Sequence, residues 1–211
     1  MNRFVIKVLF GQNSSVIRKG TRRIFPFSNW KNPVFACGLL VTYTNERGER
    51  KTLYIEEKNS ETGTCYTSDF GGKVDMEDTC LFDTLSREVW EESSHKFFGD
   101  KMDLKPFREL FKTFLDNSGV HLQYMPGSKY LLVKVTCDRR LPEKCRGLVD
   151  APLTRFDPEE GNISRKFSWV NSRDKRKIKN LHPRLQQQKK HQGRQQRKKY
   201  QGSSATQEDT K

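Results

Sequence analysis

Apolar positions recur along this chain in two rhythms, and the switches between them mark out its elements. Residues 1–10 run Met1-Asn2-Arg3-Phe4-Val5-Ile6-Lys7-Val8-Leu9-Phe10, an alternation interrupted by Lys7 that predicts an edge strand. The polar stretch 11–30, with Arg18-Lys19 and Arg22-Arg23, predicts a long basic loop. Residues 34–43 predict a strand that turns through Asn45-Glu46-Arg47-Gly48 into a second at 51–56. A third, 65–70, runs into Gly71-Gly72, which reads as a turn. From 78 to 94 the period lengthens, and Leu81, Leu85 and Val89 fall on one helical stripe. Leu104, Phe107, Leu110, Phe111, Phe114 and Leu115 predict a second helix, with Pro106 in its first turn. Strand patterns at 120–125 and 129–135 flank Pro126-Gly127-Ser128, and 163–170 predicts a last strand. Ile178, Leu181 and Leu185 then recur at i, i+3, i+7, which predicts a basic helix docked by a narrow stripe.

This order predicts an α/β fold, a mixed sheet flanked by helices. The 211 residues suffice for one well-buried domain and an appendage, and the 33% apolar content fits a core diluted by polar segments. The predicted organisation is an N-terminal strand and basic arm over 1–32, a domain over 33–187, and a disordered tail over 188–211. Charge supports that division. Residues 173–199 carry twelve Lys and Arg against the single acid Asp174, whereas residues 1–172 carry 27 basic against 23 acidic side chains. The five cysteines, at 37, 65, 80, 137 and 145, form no C-x2-C pair and read as reduced thiols. No apolar run approaches the ~20 residues that span a bilayer, so the expectation is a cytoplasmic, or nuclear, protein without a membrane partner.

The chemistry concentrates between residues 71 and 92. Helical spacing puts Glu88 and Glu92 at i and i+4, with Glu91 three residues after Glu88, so three carboxylates share one face. Like charges so crowded repel unless a cation sits among them. Mg²⁺ and Mn²⁺ take hard oxygen ligands and keep open positions for phosphate oxygens. Arg87, four residues before Glu91, is placed to pair with a carboxylate and fix its rotamer.

Gly71-Gly72 followed by Arg87-Glu88-Val89-Trp90-Glu91-Glu92 resembles the Nudix box, G-x5-E-x7-R-E-U-x-E-E-x-G-U with U aliphatic. Two departures stand out. Asp78 takes the place of the first Glu and is separated from Arg87 by eight residues instead of seven, and Ser94-His95 replaces the closing Gly and aliphatic pair. The resemblance implies a Nudix-like α/β/α sandwich and a divalent-metal-dependent hydrolase cleaving a nucleoside diphosphate linked to another moiety, with Mg²⁺ or Mn²⁺ as cofactor. It further implies that Glu91 and Glu92 are metal ligands, Glu88 a ligand or the general base, Arg87 an orienting residue, and the Gly72 carbonyl a further ligand. An additional acid is expected from outside the box, with Glu109, Asp116, Glu143, Glu159 and Glu160 as candidates. Asp78 is open to either an outer-shell or a helix-capping role. Phe35, Tyr66, Phe70, Tyr124 and Trp169 are available to stack on a base.

Two other functions remain open. The same chemistry on mRNA caps or other RNA 5′ ends would use the basic tail, with Lys189, Lys190, Arg194, Arg197, Lys198 and Lys199 holding RNA phosphates; the same cations would serve nuclear localisation. An inactive Nudix-fold RNA-binding module is the third reading. The intact Arg87, Glu88, Glu91 and Glu92 argue against it.

Overall fold

A computed structural model describes residues 1–11, 23–27, 29–137, 153–157, 161–178, 180–183 and 185–186. In chain order the elements are α1 (Arg3–Phe10), β1 (Phe25–Phe27), β2 (Asn29–Val34), β3 (Ala36–Thr44), β4 (Arg50–Asn59), β5 (Cys65–Ser68), β6 (Phe70–Lys73), α2 (Leu81–Glu92), α3 (Leu104–Asp116), β7 (Gly119–Met125), β8 (Tyr130–Thr136), β9 (Leu153–Asp157) and β10 (Gly161–Asn171). Eight strands form one mixed sheet in the order β7-β8-β3-β4-β10-β9, with β5 paired to β4 and β6 to β3; β1 and β2 form a separate hairpin. The β3–β8 pairing is parallel and the others are antiparallel. The α/β class and the mixed sheet are those expected from the sequence.

The sheet is split, and the split positions the site. β3 and β4 pair only where Thr42–Thr44 meets Arg50–Thr52, beyond a tight turn in which Asn45 Oδ1 accepts the Arg47 and Glu49 amides and Gly48 takes a positive φ. Further along the two strands part, and the chain wedges between them. β5 runs along β4, with Ile55 opposite Ser68, and β6 returns along β3, with Leu39 opposite Phe70. Asp69 sits at the apex, fully buried, its Oδ2 accepting the Tyr130 hydroxyl at 2.7 Å.

Period-two alternation divides the side chains between the two faces. Leu39, Val41, Leu53, Ile55, Phe70, Val133 and Phe167 meet α1, α2 and α3 in the larger core. Leu40, Tyr54, Tyr130 and Leu132 face the other way, and there Leu181 and Leu185 pack, with Ile178 against them. Phe107, Phe111 and Leu115 of α3 are completely buried, as the Phe-rich stripe predicts.

Several elements differ from expectation. Residues 3–10 are helical, not an edge strand: Asn2 Oδ1 accepts the Val5 amide at 2.9 Å as an N-cap, and Val5, Val8 and Leu9, at helical spacing, enter the common core. Part of the expected loop is the β1–β2 hairpin. Gly71 and Gly72 do not turn; they are strand residues of β6, and the break falls two positions before Gly71, at Asp69. The acidic helix begins at Leu81 with Cys80 as its N-cap, so Asp78 is no cap. After β10 the chain forms a 3-10 helix over Ser172–Lys177, and Leu181 then makes a parallel bridge with Thr67. The apolar stripe packs as predicted, but not on one helix: Leu181 sits in the bridge, and helical turn is found only from Pro183 on, where the Leu185 and Gln186 amides donate to His182 O. The tail 188–211, with Lys189, Lys190, Arg194, Arg197, Lys198 and Lys199, lies outside the described residues, as do Arg18, Lys19, Arg22, Glu143, Glu159, Glu160 and Cys145.

Candidate metal and phosphate site

α2 lies across β6 and β3 because its apolar stripe, Leu81, Phe82, Leu85 and Val89, is buried in the larger core. The acids at 88, 91 and 92 flank that stripe. The approach is close because the strand beneath has no side chain at Gly72, and Gly71 lets β6 lie close to β3 and Tyr130 on the opposite face. A Cβ at Gly71 would overlap the Cys37 carbonyl, the Gly38 Cα and the Tyr130 hydroxyl, and one at Gly72 would overlap the carboxylate of Glu88. These two glycines are therefore required by contact, not by turn geometry.

Each acid has its own place. Glu92, buried, accepts the Gly71 amide at 2.6 Å through Oε2. Glu88 lies over Gly72 and accepts Arg87 Nη1 at 2.8 Å. Glu91 is the most open of the three, 28% exposed, with Arg87 Nη1 at 3.7 Å. Burial pushes Glu88 up to about 7 despite Arg87 beside it, and the charges of Glu91 and Asp78 push the same way.

Arg87 is where the sequence expectation changes most. Its short contacts are not to Glu91 four residues on. Nη2 donates to Asp78 Oδ2 at 3.0 Å and to the Lys73 carbonyl at 3.0 Å, and Nε reaches Asp78 Oδ1 at 3.4 Å. Asp78, 3% exposed, also accepts the Asp75 amide and the Thr84 hydroxyl, each at 2.8 Å. Burial lowers the Arg87 pKa, but the hydrogen bond and charge of Asp78, with Glu88 and Glu91, leave it above that of an ordinary arginine. Asp78 is thus tied through Arg87 to Glu88.

The end of α2 explains how the chain manages without a closing glycine. Ser94 and His95 take left-handed φ values of 49° and 70°. Their amides donate to Glu91 O at 2.9 Å and Trp90 O at 2.7 Å, which closes the last turn. His95 then stacks on Trp90 with ring centroids 3.7 Å apart, and the Trp90 indole donates to Met102 O at 2.7 Å. Packing holds a conformation that the side chains themselves disfavour.

Among the described residues, no three His, Cys, Asp or Glu side chains are gathered as a ready cation shell. The donor set nonetheless suits Mg²⁺ or Mn²⁺: its members are carboxylates, hard ligands, and a glutamate pushed up by burial first, and then by Glu91 and Asp78, is one that a divalent cation would hold in its charged form. Of the acids considered outside the box, Asp116 is engaged by Lys112 at 2.8 Å and by the N-terminal ammonium at 3.8 Å; Glu109 lies on α3. Of the stacking candidates, Phe70 is core, Tyr124 stacks on Phe27, Trp169 meets Tyr43 edge-on, Phe35 lies under the Lys129 ammonium, and Tyr66 is 42% exposed.

Sequence reasoning missed the Asp69–Tyr130 pair and the partnership of Asp78 with Arg87. It also missed Arg165, whose signal was available: it occupies an inward position in the alternation Ile163, Arg165, Phe167, Trp169.

No family model and no curated protein matches the chain. Among solved structures it is similar to "Nudix Hydrolase from M. Smegmatis, RenU", at 15% identity over 72% of this chain and 78% of that one, with a TM-score of 0.38. Among the described residues no helix is long and apolar enough to cross a membrane.

Proposed function

We propose that this chain is a Nudix-type pyrophosphohydrolase, dependent on Mg²⁺ or Mn²⁺, that cleaves a nucleoside diphosphate linked to another moiety. The observation that carries the reading is the seating of Glu88 and Glu92 on Gly72 and Gly71, with Arg87 tying Glu88 to Asp78. Glu88, Glu91 and Glu92 would hold the metal, which when bound supplies positive charge against the pyrophosphate oxygens. Glu88, as the alternative to ligation, is suited to take a proton from the attacking water at a carboxylate oxygen. Arg87 holds that carboxylate in place, and the Gly71 amide holds Glu92. Gly72, against Glu88, keeps its place as a candidate carbonyl ligand.

The test is turnover on a panel of dinucleoside polyphosphates, nucleotide sugars, oxidised nucleotides and capped RNA, with Mg²⁺ and with Mn²⁺. Glu92→Gln should lower kcat on the order of 10²-fold or more with the fold intact. A near-normal rate at saturating metal would sink the metal assignment.

A second reading, the same chemistry on an RNA 5′ end, is favoured by the density of cations over 173–199. It predicts that removing 188–211 weakens affinity for long RNA and flattens its salt dependence by about 0.7 in log-log slope per lost phosphate contact, while hydrolysis of a dinucleotide is spared. Equal affinity and slope for the two chains would leave localisation as the role of the tail.

A further inference from the structure

The alternation along β10 places Ile163, Arg165, Phe167 and Trp169 on one side of the strand. Phe167 and Trp169 on that side join the core beneath α2. A strand position in such a row calls for an apolar residue, and a guanidinium occupies it. Arg165 is 6% exposed. Among the described residues its ion-pair partner is Glu57, opposite it on β4, with Nη2 to Oε2 at 3.6 Å, too long for a hydrogen bond. Nε and Nη1 are buried without any hydrogen-bond partner.

An arginine cannot shed its proton to escape such a setting, and buried donors without acceptors are costly. Residues that a fold tolerates at a loss in stability concentrate at functional sites. The register shows which site. Arg165, Glu57 and Tyr66 form one row across β10, β4 and β5, the arm of the split sheet opposite the one formed by β3 and β6. Gly71 and Gly72, and with them Glu92 and Glu88, belong to that second arm on the same face. One arm of the wedge therefore carries acids suited to metal, and the other an unsatisfied, planar, five-donor cation of the kind that matches phosphate.

Resting on the pyrophosphohydrolase reading, we propose that Arg165, paired with Glu57, is a phosphate-receiving site that takes a phosphate group of the substrate on the arm away from the carboxylates. Its two unbonded donors, Nε and Nη1, supply the hydrogen bonds, and the Glu57 carboxylate, 3.6 Å from Nη2, offsets the charge. The metal and Arg165 then grip the anion from opposite arms of the wedge.

The probe is inorganic pyrophosphate, titrated calorimetrically into the full chain in EDTA, so that metal contributes nothing. Arg165→Met, close in volume and apolar, and Arg165→Lys, which keeps the charge and loses the fork, are compared with the natural chain. The expected result has two parts. Arg165→Met raises Tm in the absence of ligand, because two buried donors without hydrogen-bond partners have been removed. It also weakens pyrophosphate binding about tenfold or more, the worth of one charge-assisted hydrogen bond, and Arg165→Lys falls between. A lower Tm for Arg165→Met with an unchanged Kd overturns the proposal in favour of a structural arginine, as does a natural chain that fails to bind pyrophosphate in EDTA. Either result with turnover intact leaves the hydrolase reading standing. Arg165-dependent binding in a chain that turns over no substrate of the panel overturns the hydrolase reading instead and keeps the anion site.

Discussion

Asp78→Ala is expected to cost far more in stability than its place in a loop suggests. The carboxylate is 3% exposed and accepts from the Asp75 amide, the Thr84 hydroxyl and two nitrogens of Arg87. Alanine leaves the two neutral donors without that acceptor, at about 1 kcal/mol or more each, and takes from Arg87 a charge-assisted bond worth about 1.5–3 kcal/mol. Arg87 keeps Glu88 and the Lys73 carbonyl, so the lower half of that range applies. The sum is about 4 kcal/mol, within the 3–5 kcal/mol typical of breaking a buried ion pair. Urea unfolding should show a fall in midpoint at unchanged m-value. Asp78→Asn keeps an acceptor for the Asp75 amide and should lose about half as much. Because Asp78 acts through Arg87, a cycle with Arg87→Met should show coupling of about 1 kcal/mol or more, and turnover per folded molecule should fall less than for Glu92→Gln. A loss below about 1 kcal/mol for Asp78→Ala, or strict additivity in the cycle, would refute the assignment of Asp78 as the anchor of Arg87.

Adjacent glycines should respond differently to the same methyl group. Gly71→Ala meets backbone of β3 and should destabilise by about 3 kcal/mol, whereas Gly72→Ala meets only the movable Glu88 carboxylate and should cost about 1 kcal/mol in urea unfolding but on the order of 10² in kcat. Glu88, raised from 4.5 to about 7 by burial, binds its proton more tightly in the folded chain than in the unfolded one. In EDTA its contribution is therefore fully present below pH 4.5 and is lost as pH rises to about 7; Glu88→Gln should remove that loss, on the order of 2–3 kcal/mol, and an identical pH–stability curve for the two proteins would refute it. Ser94→Gly relieves a left-handed φ of 49° and should raise stability by about 1 kcal/mol, measurable as a higher thermal midpoint; a decrease would show that the serine makes a contact worth more than the strain.

What the sequence reveals of this molecule follows the range of the interactions involved. Helical stripes at 81–89 and 104–115 and the strand patterns at 34–43, 51–56, 120–125 and 163–170 are local signals, and each corresponds to an observed element. The acidic face of α2 is legible for the same reason, since three residues on one helix need only helical spacing to converge. Residues 3–10 mislead because Val5-Ile6-Lys7-Val8 satisfies both periods, and only the Asn2 cap and tertiary burial decide for a helix. Gly71-Gly72 reads as a turn because the alternative, close approach by Glu88, Cys37 and Tyr130, depends on chain segments 16 to 59 residues away. Asp78 with Arg87, and Asp69 with Tyr130, are pairings across loops or strands that periodicity does not encode. Arg165 alone combines a local signal, a charge on an inward strand position, with a long-range meaning.

The join between β4 and β10 bears on how the chain reaches this structure. Nine consecutive residues of β10, Ile163 to Asn171, register against Lys51 to Asn59, and the Ser164 contact to Lys58 spans 106 positions. All the residues of the acidic cluster have been synthesised by position 92, yet β4 then still lacks its outer neighbour. During synthesis it presents an unpaired edge for the whole interval until β10 emerges, and closing so long a loop makes the pairing slow. The nascent chain is thus most exposed to strand-mediated self-association just when its charged centre is already laid down. Its completion is governed by a strand that is made well after that centre.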